Sequence, residues 1–463
     1  MQDLTQGSIP RHLVQTTGFM LVMMVFQTLY FLIDLYWVGR LGTAAVAGVG
    51  IAGNVSFIVL AVSQVLAVGA TALVAQAVGA KDQPLARRRF NQGLGLAAAT
   101  GCVFVAVGAV TIGPYARSMS ADAATATLAI DYLRWFVPAM ALQLPVGVMA
   151  ASLRATGSFK PVMVLSIISV VVNMALAPFL IFGWGTGIAF GVGGAAIATF
   201  VSVVVGSVLA VRLFLPADAY LRFLPAEWRP QWGEWRRMLA VGLPAGFEFA
   251  MMALYQFVVY SVARPFGPAA QAGFGVGMRV IQAGFMPVVA LGAAVTPVAG
   301  QNFGAQRGDR VRATFRSAAL MASAVMALFA LLSHVAPQAM IGLFTGDPAV
   351  IATGTEYLRI ISWNYVASGL IFVASAMFQA MGNTVPSLVA SGVRMALVIV
   401  PVLVLARRPG FELHVVWYLA VATVYLQLAI SLVLLRWQFA RRLVFTGEAR
   451  PAAAPAPLAV VLE

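Results

Sequence analysis

One cysteine, three histidines and two lysines are all that this chain of 463 residues holds of those types. Cys102 alone can build neither a disulfide framework nor a cysteine-based metal site. His12, His334 and His414 stand far apart, and no two share a metal-ligand spacing. Charge is scarce: Asp, Glu, Lys and Arg make up 10% of the residues, where soluble domains carry about 25%. A GxxxxGKS/T phosphate loop is missing, so ATP hydrolysis is not expected. Nothing resembles a channel filter or a ring of charges. The few intramembrane acids sit in no catalytic constellation, so the chain is expected to be no enzyme and to need no cofactor.

Apolar residues fill the space that charge leaves. They account for 61% of the chain, and the mean hydropathy is +0.91. No soluble core could hide that much apolar surface, so the solvent is lipid. Runs long enough for a helical span, roughly 20 residues, number twelve: 13–38, 46–78, 90–113, 129–152, 161–183, 188–214, 239–263, 271–301, 314–336, 354–379, 387–406 and 414–436. The second and eighth are long enough to suggest an internal loop or a tilted helix. Backbone polar groups in lipid must be satisfied within the segment, so these are helices. The fold class expected is an all-α membrane protein.

The net charge of +14 does not point to nucleic acid, because the basic residues are spread over short loops. Loops counted even from the N-terminus, together with both termini, hold 20 Lys and Arg, against 7 in the odd loops. Arg279 and Arg394 lie inside spans. Positive charge marks the cytoplasmic side, which puts both termini there. Arginine outnumbers lysine 27 to 2, which reads as a GC-rich, bacterial coding sequence. The expected location is therefore a bacterial inner membrane, spanned many times. A monomer is expected.

An internal repeat organises the chain. "LGTAAVAGVG" (41–50) matches "FGPAAQAGFG" (266–275), "AQAVGAKD" (75–82) matches "GQNFGAQR" (300–307), and "LRATGSFKP" (153–161) matches "FQAMGNTVP" (378–386). All three pairs share one offset of 225 residues. The expected organisation is a cytoplasmic N-terminus (1–12), a six-helix bundle (13–215), a cytoplasmic connector (216–236), a second six-helix bundle (237–440) and a disordered cytoplasmic tail (441–463). Six spans is an even number, so the halves are parallel repeats about a pseudo-two-fold axis along the membrane normal. Transporters built from such repeats hold substrate between the halves and rock them.

Of the 15 Asp and Glu residues, only Asp34 and Glu248 stand well inside apolar runs. Such residues are costly in a membrane and mark function by default. The offset sets Asp34 opposite Val259 and Glu248 opposite Met23, so the two acids are not repeat mates. Helical spacing places Gln27, Tyr30, Asp34 and Trp37 on one stripe, and Glu248, Met252, Tyr255 and Gln256 on another. Acid, amide and ring together suit a lipophilic cation through charge and cation–π contact. A buried carboxylate can also take up and release a proton. The bland alternatives are a structural hydrogen bond at each acid, Asn173 being one candidate partner, and helix–helix glue at the amides and tyrosines.

The stretches "DLYWVGRLGTAAVAGVG", "ALVAQAVGAKD", "ASLRATGSFKP" and "VAGQNFGAQRGD" together resemble the multidrug and toxic compound extrusion (MATE) family, in its NorM/DinF-like bacterial members. The resemblance runs from about residue 11 to 440. It implies export of large, lipophilic, often cationic small molecules in exchange for H+ or Na+. It also implies roles for an acid in the first helix, an asparagine in the fifth and an acid in the seventh, where Asp34, Asn173 and Glu248 stand. The fifth helix departs from the family pattern: "NMALAP" has Ala177 where an aspartate is usual. That leaves a Na+ site at Asp34 and Asn173 short of ligands, so H+ is the coupling ion expected and Na+ the alternative. A lipid-linked precursor flippase of the same superfamily is the alternative function.

Overall fold

A computed structural model describes residues 2–185 and 187–445. Among the described residues, fourteen α-helices and three short 3-10 turns follow one another. The first bundle holds α1 (Ile9–Gly39), α2 (Thr43–Gly79), α3 (Gln83–Met119), α4 (Ala123–Ala155), α5 (Phe159–Phe182) and α6 (Gly191–Arg212). The second holds α7 (Trp232–Ala263), α8 (Pro268–Gly304), α9 (Gly308–Val335), the short α10 (Pro337–Gly342), α11 (Pro348–Ile361), α12 (Tyr365–Ala380), α13 (Val385–Leu405) and α14 (His414–Arg442). Among the described residues, twelve segments are long and apolar enough to cross a membrane; α11 and α12 together form the tenth.

Several loop acids begin helices. Asp82 accepts from the Leu85 N–H at 2.9 Å, Asp122 from Thr125 at 2.7 Å, and Asp347 from Ala349 at 2.8 Å. Each satisfies a backbone donor that the first turn leaves open. The backbone and hydroxyl bonds from Thr125 hold the Asp122 carboxyl below the usual carboxylate range. Of the two alternatives for the long second and eighth runs, the internal loop is absent: α2 and α8 are each one helix of 37 residues. At 1.5 Å per residue that is about 55 Å, well beyond the roughly 30 Å hydrocarbon core. The break falls instead in the tenth span, at the 3-10 turn Ser362–Asn364.

The repeat is visible atom by atom. Lys81 and Gln306, 225 apart, both take the left-handed conformation, with φ 58° and 57°. Gln76 donates to the Ala380 carbonyl at 2.8 Å, and its mate Gln301 donates to Ala155, itself the mate of Ala380, at 2.7 Å. Each glutamine thus reaches into the opposite bundle. Where α2 crosses α8, a Cβ on Gly79 would overlap the Gln301 carbonyl, and a Cβ on Gly304 would overlap that of Gln76. Only glycine lets the two backbones approach so closely.

Residues 2–5 join this seam. Leu4 is fully buried, its N–H donating to Gln301 Oε1 at 3.0 Å and its carbonyl accepting from Asn302 at 3.1 Å. Gln2 donates to the Thr156 carbonyl of the first bundle, while Arg307 of the second donates to Thr5. Residues 2–8 therefore strap the bundles together. The connector lies along α3: Asn91 accepts from Leu224 and Trp228, Gln92 from Gln231, and Arg89 pairs with Glu234 at 3.6 Å. The last helix continues to Arg442, and Leu443 is fully buried. The rest of the expected tail, 446–463, lies outside the described residues.

Candidate ion and substrate sites

Asp34 sits on α1 one turn beyond Tyr30, partly buried. Its Oδ1 is shielded from water and has no hydrogen-bond partner among the described residues. Tyr30 and the buried Tyr132 of α4 lie near enough to sense its charge. Thr199 of α6 donates to the Ala195 carbonyl at 3.2 Å. Its oxygen can then accept, from Asn173 at 3.3 Å and from Tyr30 at 3.1 Å. The Tyr30 hydroxyl proton is thereby directed to Thr199 rather than to Asp34. Among the described hydrogen bonds, Asn173 reaches Thr199 and does not reach Asp34, so the structural Asp34–Asn173 pair considered from sequence is absent there. Ala177 is buried in an apolar cluster with Val38, Ala195 and Ile181.

The C-terminal bundle is built differently. Glu248 of α7 lies beside Ser375 of α12 and Ser387 of α13, and Ser387 donates to Ser375 at 3.0 Å. Among the described residues, Glu248 Oε1 has no hydrogen-bond partner. Two turns along both helices, the Arg394 guanidinium of α13 lies 5.7 Å from the centre of the Tyr255 ring of α7. Arg394 donates to Gln427 of α14 at a long 3.4 Å, and its Nε is buried without a partner among the described residues. Gln427 in turn donates to Ser391 at 3.0 Å. Tyr357 of α11 approaches the same guanidinium.

The sequence-derived residues are thus only partly brought together. Tyr30 and Asn173 are joined through Thr199, and Asp34 stands one turn beyond Tyr30 on α1 without joining that network. Trp37 lies outside it, packed edge-on against Phe182 and Trp184 at 6.0 and 5.7 Å. Gln27 and Met252 are exposed. Gln256 is partly buried. Arg279 is exposed rather than buried. Sequence reasoning missed Tyr132, Thr199, Ser375, Ser387 and Gln427. The repeat offset would have exposed two phenols: Tyr30 and Tyr255 are mates, and so are Tyr132 and Tyr357.

The family model MatE matches residues 20–179 and 244–405, one stretch in each bundle. The chain belongs to the MatE family. Members of this family are transporters of the multidrug and toxic compound extrusion type, not enzymes, and the twelve spans make this one a multi-pass membrane protein. The chain is similar to the probable multidrug resistance protein YoeA of Bacillus subtilis, 27% identical over 85% of this chain and 86% of that one. It is also similar to the FAD transporter of Shewanella oneidensis, 24% identical over 80% and 82%. A solved structure described as the outward-facing conformation of a multidrug resistance MATE family transporter superposes with a TM-score of 0.85, at 25% identity, covering 95% of this chain and 98% of that one.

Proposed function

We propose that this MatE protein exports lipophilic, cationic small molecules from a bacterial cytoplasm through the inner membrane. H+ enters in exchange, and the two bundles alternate access about the Gly79–Gly304 seam. Both termini and the connector face the cytoplasm in this reading, which rests on the arginine bias of the even loops. The observation that carries the H+ assignment is the lone Asp34 carboxylate, with an oxygen that no donor meets. An oxygen in that state can carry a proton. A hard cation needs several oxygens held around it, and here the Thr199 hydroxyl is already committed to Ala195, Asn173 and Tyr30. Ala177 supplies no second carboxylate. Asp34, Asn173 and Glu248 are the coupling residues of the proposal. Tyr30, Tyr255 and Gln256 are its substrate contacts. The test is efflux from proteoliposomes at fixed membrane potential, with either a pH gradient or a Na+ gradient alone. The pH gradient is expected to drive export of a cationic dye. Strong transport on the Na+ gradient, lost in Asp34→Asn, would reverse the ion assignment.

A further inference from the structure

The two bundles build the same pair of phenols and set opposite charges beside them. In the first, Tyr30 and Tyr132 stand near Asp34. In the second, their mates Tyr255 and Tyr357 stand near Arg394. Among the described residues, Arg394 is in no ion pair. Glu248, the acid on the same helix seam, is offset from it by two helical turns, about 10 Å. A guanidinium has five N–H donors. One long bond to Gln427 and the face of one ring leave Nε and most of the fork unused.

Packing does not require this charge. The repeat mates of Arg394 and Gln427 are Ser169 and Ser202. There Ser169 donates to the Ser202 carbonyl at 2.9 Å and joins the two corresponding helices with no charge at all. A permanently charged group held inside a membrane span in place of a serine is expensive and marks a ligand path. The planar fork of arginine matches the two oxygens of a carboxylate or phosphate.

We propose that Arg394 is an anion-receiving site inside the C-terminal bundle. A substrate with a cationic or aromatic body and a carboxylate or phosphate group would place that anionic group on the Arg394 fork, with Tyr255 and Tyr357 against its apolar part. Glu248 would take the cationic end two turns away. The chain then handles zwitterions as well as cations. This deepens the export reading and rests on it for its transport consequence, while its binding consequence can be measured alone.

The test uses two dyes with one body: rhodamine 6G, a cationic ester, and its free acid, which carries a carboxylate. Binding to the purified full chain is read by fluorescence polarisation. Arg394→Gln should weaken the free acid about tenfold, the size of one charge-assisted contact, and the ester less than about twofold. Arg394→Lys should fall between Gln and wild type for the acid, because it keeps charge and loses the fork. If the Gln protein does not elute as a folded species, the Lys protein gives the reading: a lowered acid-to-ester affinity ratio is expected. Equal losses for both dyes, an unchanged ratio, or a wild type that does not bind the free acid would overturn the proposal. If the acid depends on Arg394 for binding and neither dye is exported, the export reading fails and the site stands.

Discussion

The first bundle places a carboxylate beside its two tyrosines, and the second places a guanidinium beside theirs, with Glu248 lower on the same seam. At the crossing of α2 and α8 the halves are instead alike: Gly79 and Gly304 bear on each other's neighbouring carbonyls, and Gln76 and Gln301 make the same bond across the interface. The contrast has a physical cause. At the crossing each half is the other's packing surface, so a change on one side strains both. Inside each bundle the chamber touches only its own helices, and charge there is free to diverge. Backbone contact preserves symmetry; chemistry breaks it.

The largest expected effect tests the symmetric part. Gly79→Val and Gly304→Val should each force α2 and α8 apart, at a cost of about 3 kcal/mol, near the upper range for overpacking. Thermal unfolding of the purified variants should show two similar losses. Markedly different losses would mean that the crossing is not a true pair.

Asp34→Asn tests the asymmetric part. It should lower coupled export about 100-fold, the scale of a lost coupling free energy between ion and substrate. Folding and insertion should be unchanged, since Oδ1 makes no bond to lose. Wild-type efflux from a well-inserted variant would remove Asp34 from the mechanism.

Glu248→Gln should act more weakly and more selectively. Export of cationic dyes should fall about tenfold, as for one lost charge-assisted hydrogen bond, and neutral substrates should fall less. Equal losses for both classes would leave Glu248 with its coupling role and no contact to the substrate cation.

The smallest effect separates the mates Gln76 and Gln301. Gln76→Ala removes one described bond and should cost about 1 kcal/mol. Gln301→Ala removes the equivalent bond and also the acceptor of the Leu4 N–H, so it should cost about 2 kcal/mol. Deleting residues 2–5 should erase the difference, because the strap at Leu4 is its source. Unfolding midpoints of the four proteins would show whether it does.

Much of this was legible before any coordinates. The twelve spans and the 225-residue repeat follow from hydropathy and from three matched stretches. Asp34 and Glu248 stood out because a carboxylate in an oily run is rare. Their neighbours did not stand out. Thr199, Ser375 and Ser387 are single small polar residues on other helices, and such residues are common in membrane helices for packing alone. Gln27 and Met252 share a stripe with an acid, and both are exposed. A stripe fixes which side of a helix a residue occupies, not which other helix that side meets.

Sequence alone determined that this chain lives in lipid, that it is two related halves of six spans, and that two acids sit inside it. Each of these is a property of composition or of local order along the chain, where solvation cost and periodicity act residue by residue. Only the tertiary structure decided that Asp34 Oδ1 meets no donor among the described residues, that Arg394 lies over the ring of Tyr255, the mate of Tyr30, and that residues 2–8 tie the bundles together. Those outcomes depend on side chains hundreds of positions apart meeting at ångström range, and helix packing, not chain order, sets those distances.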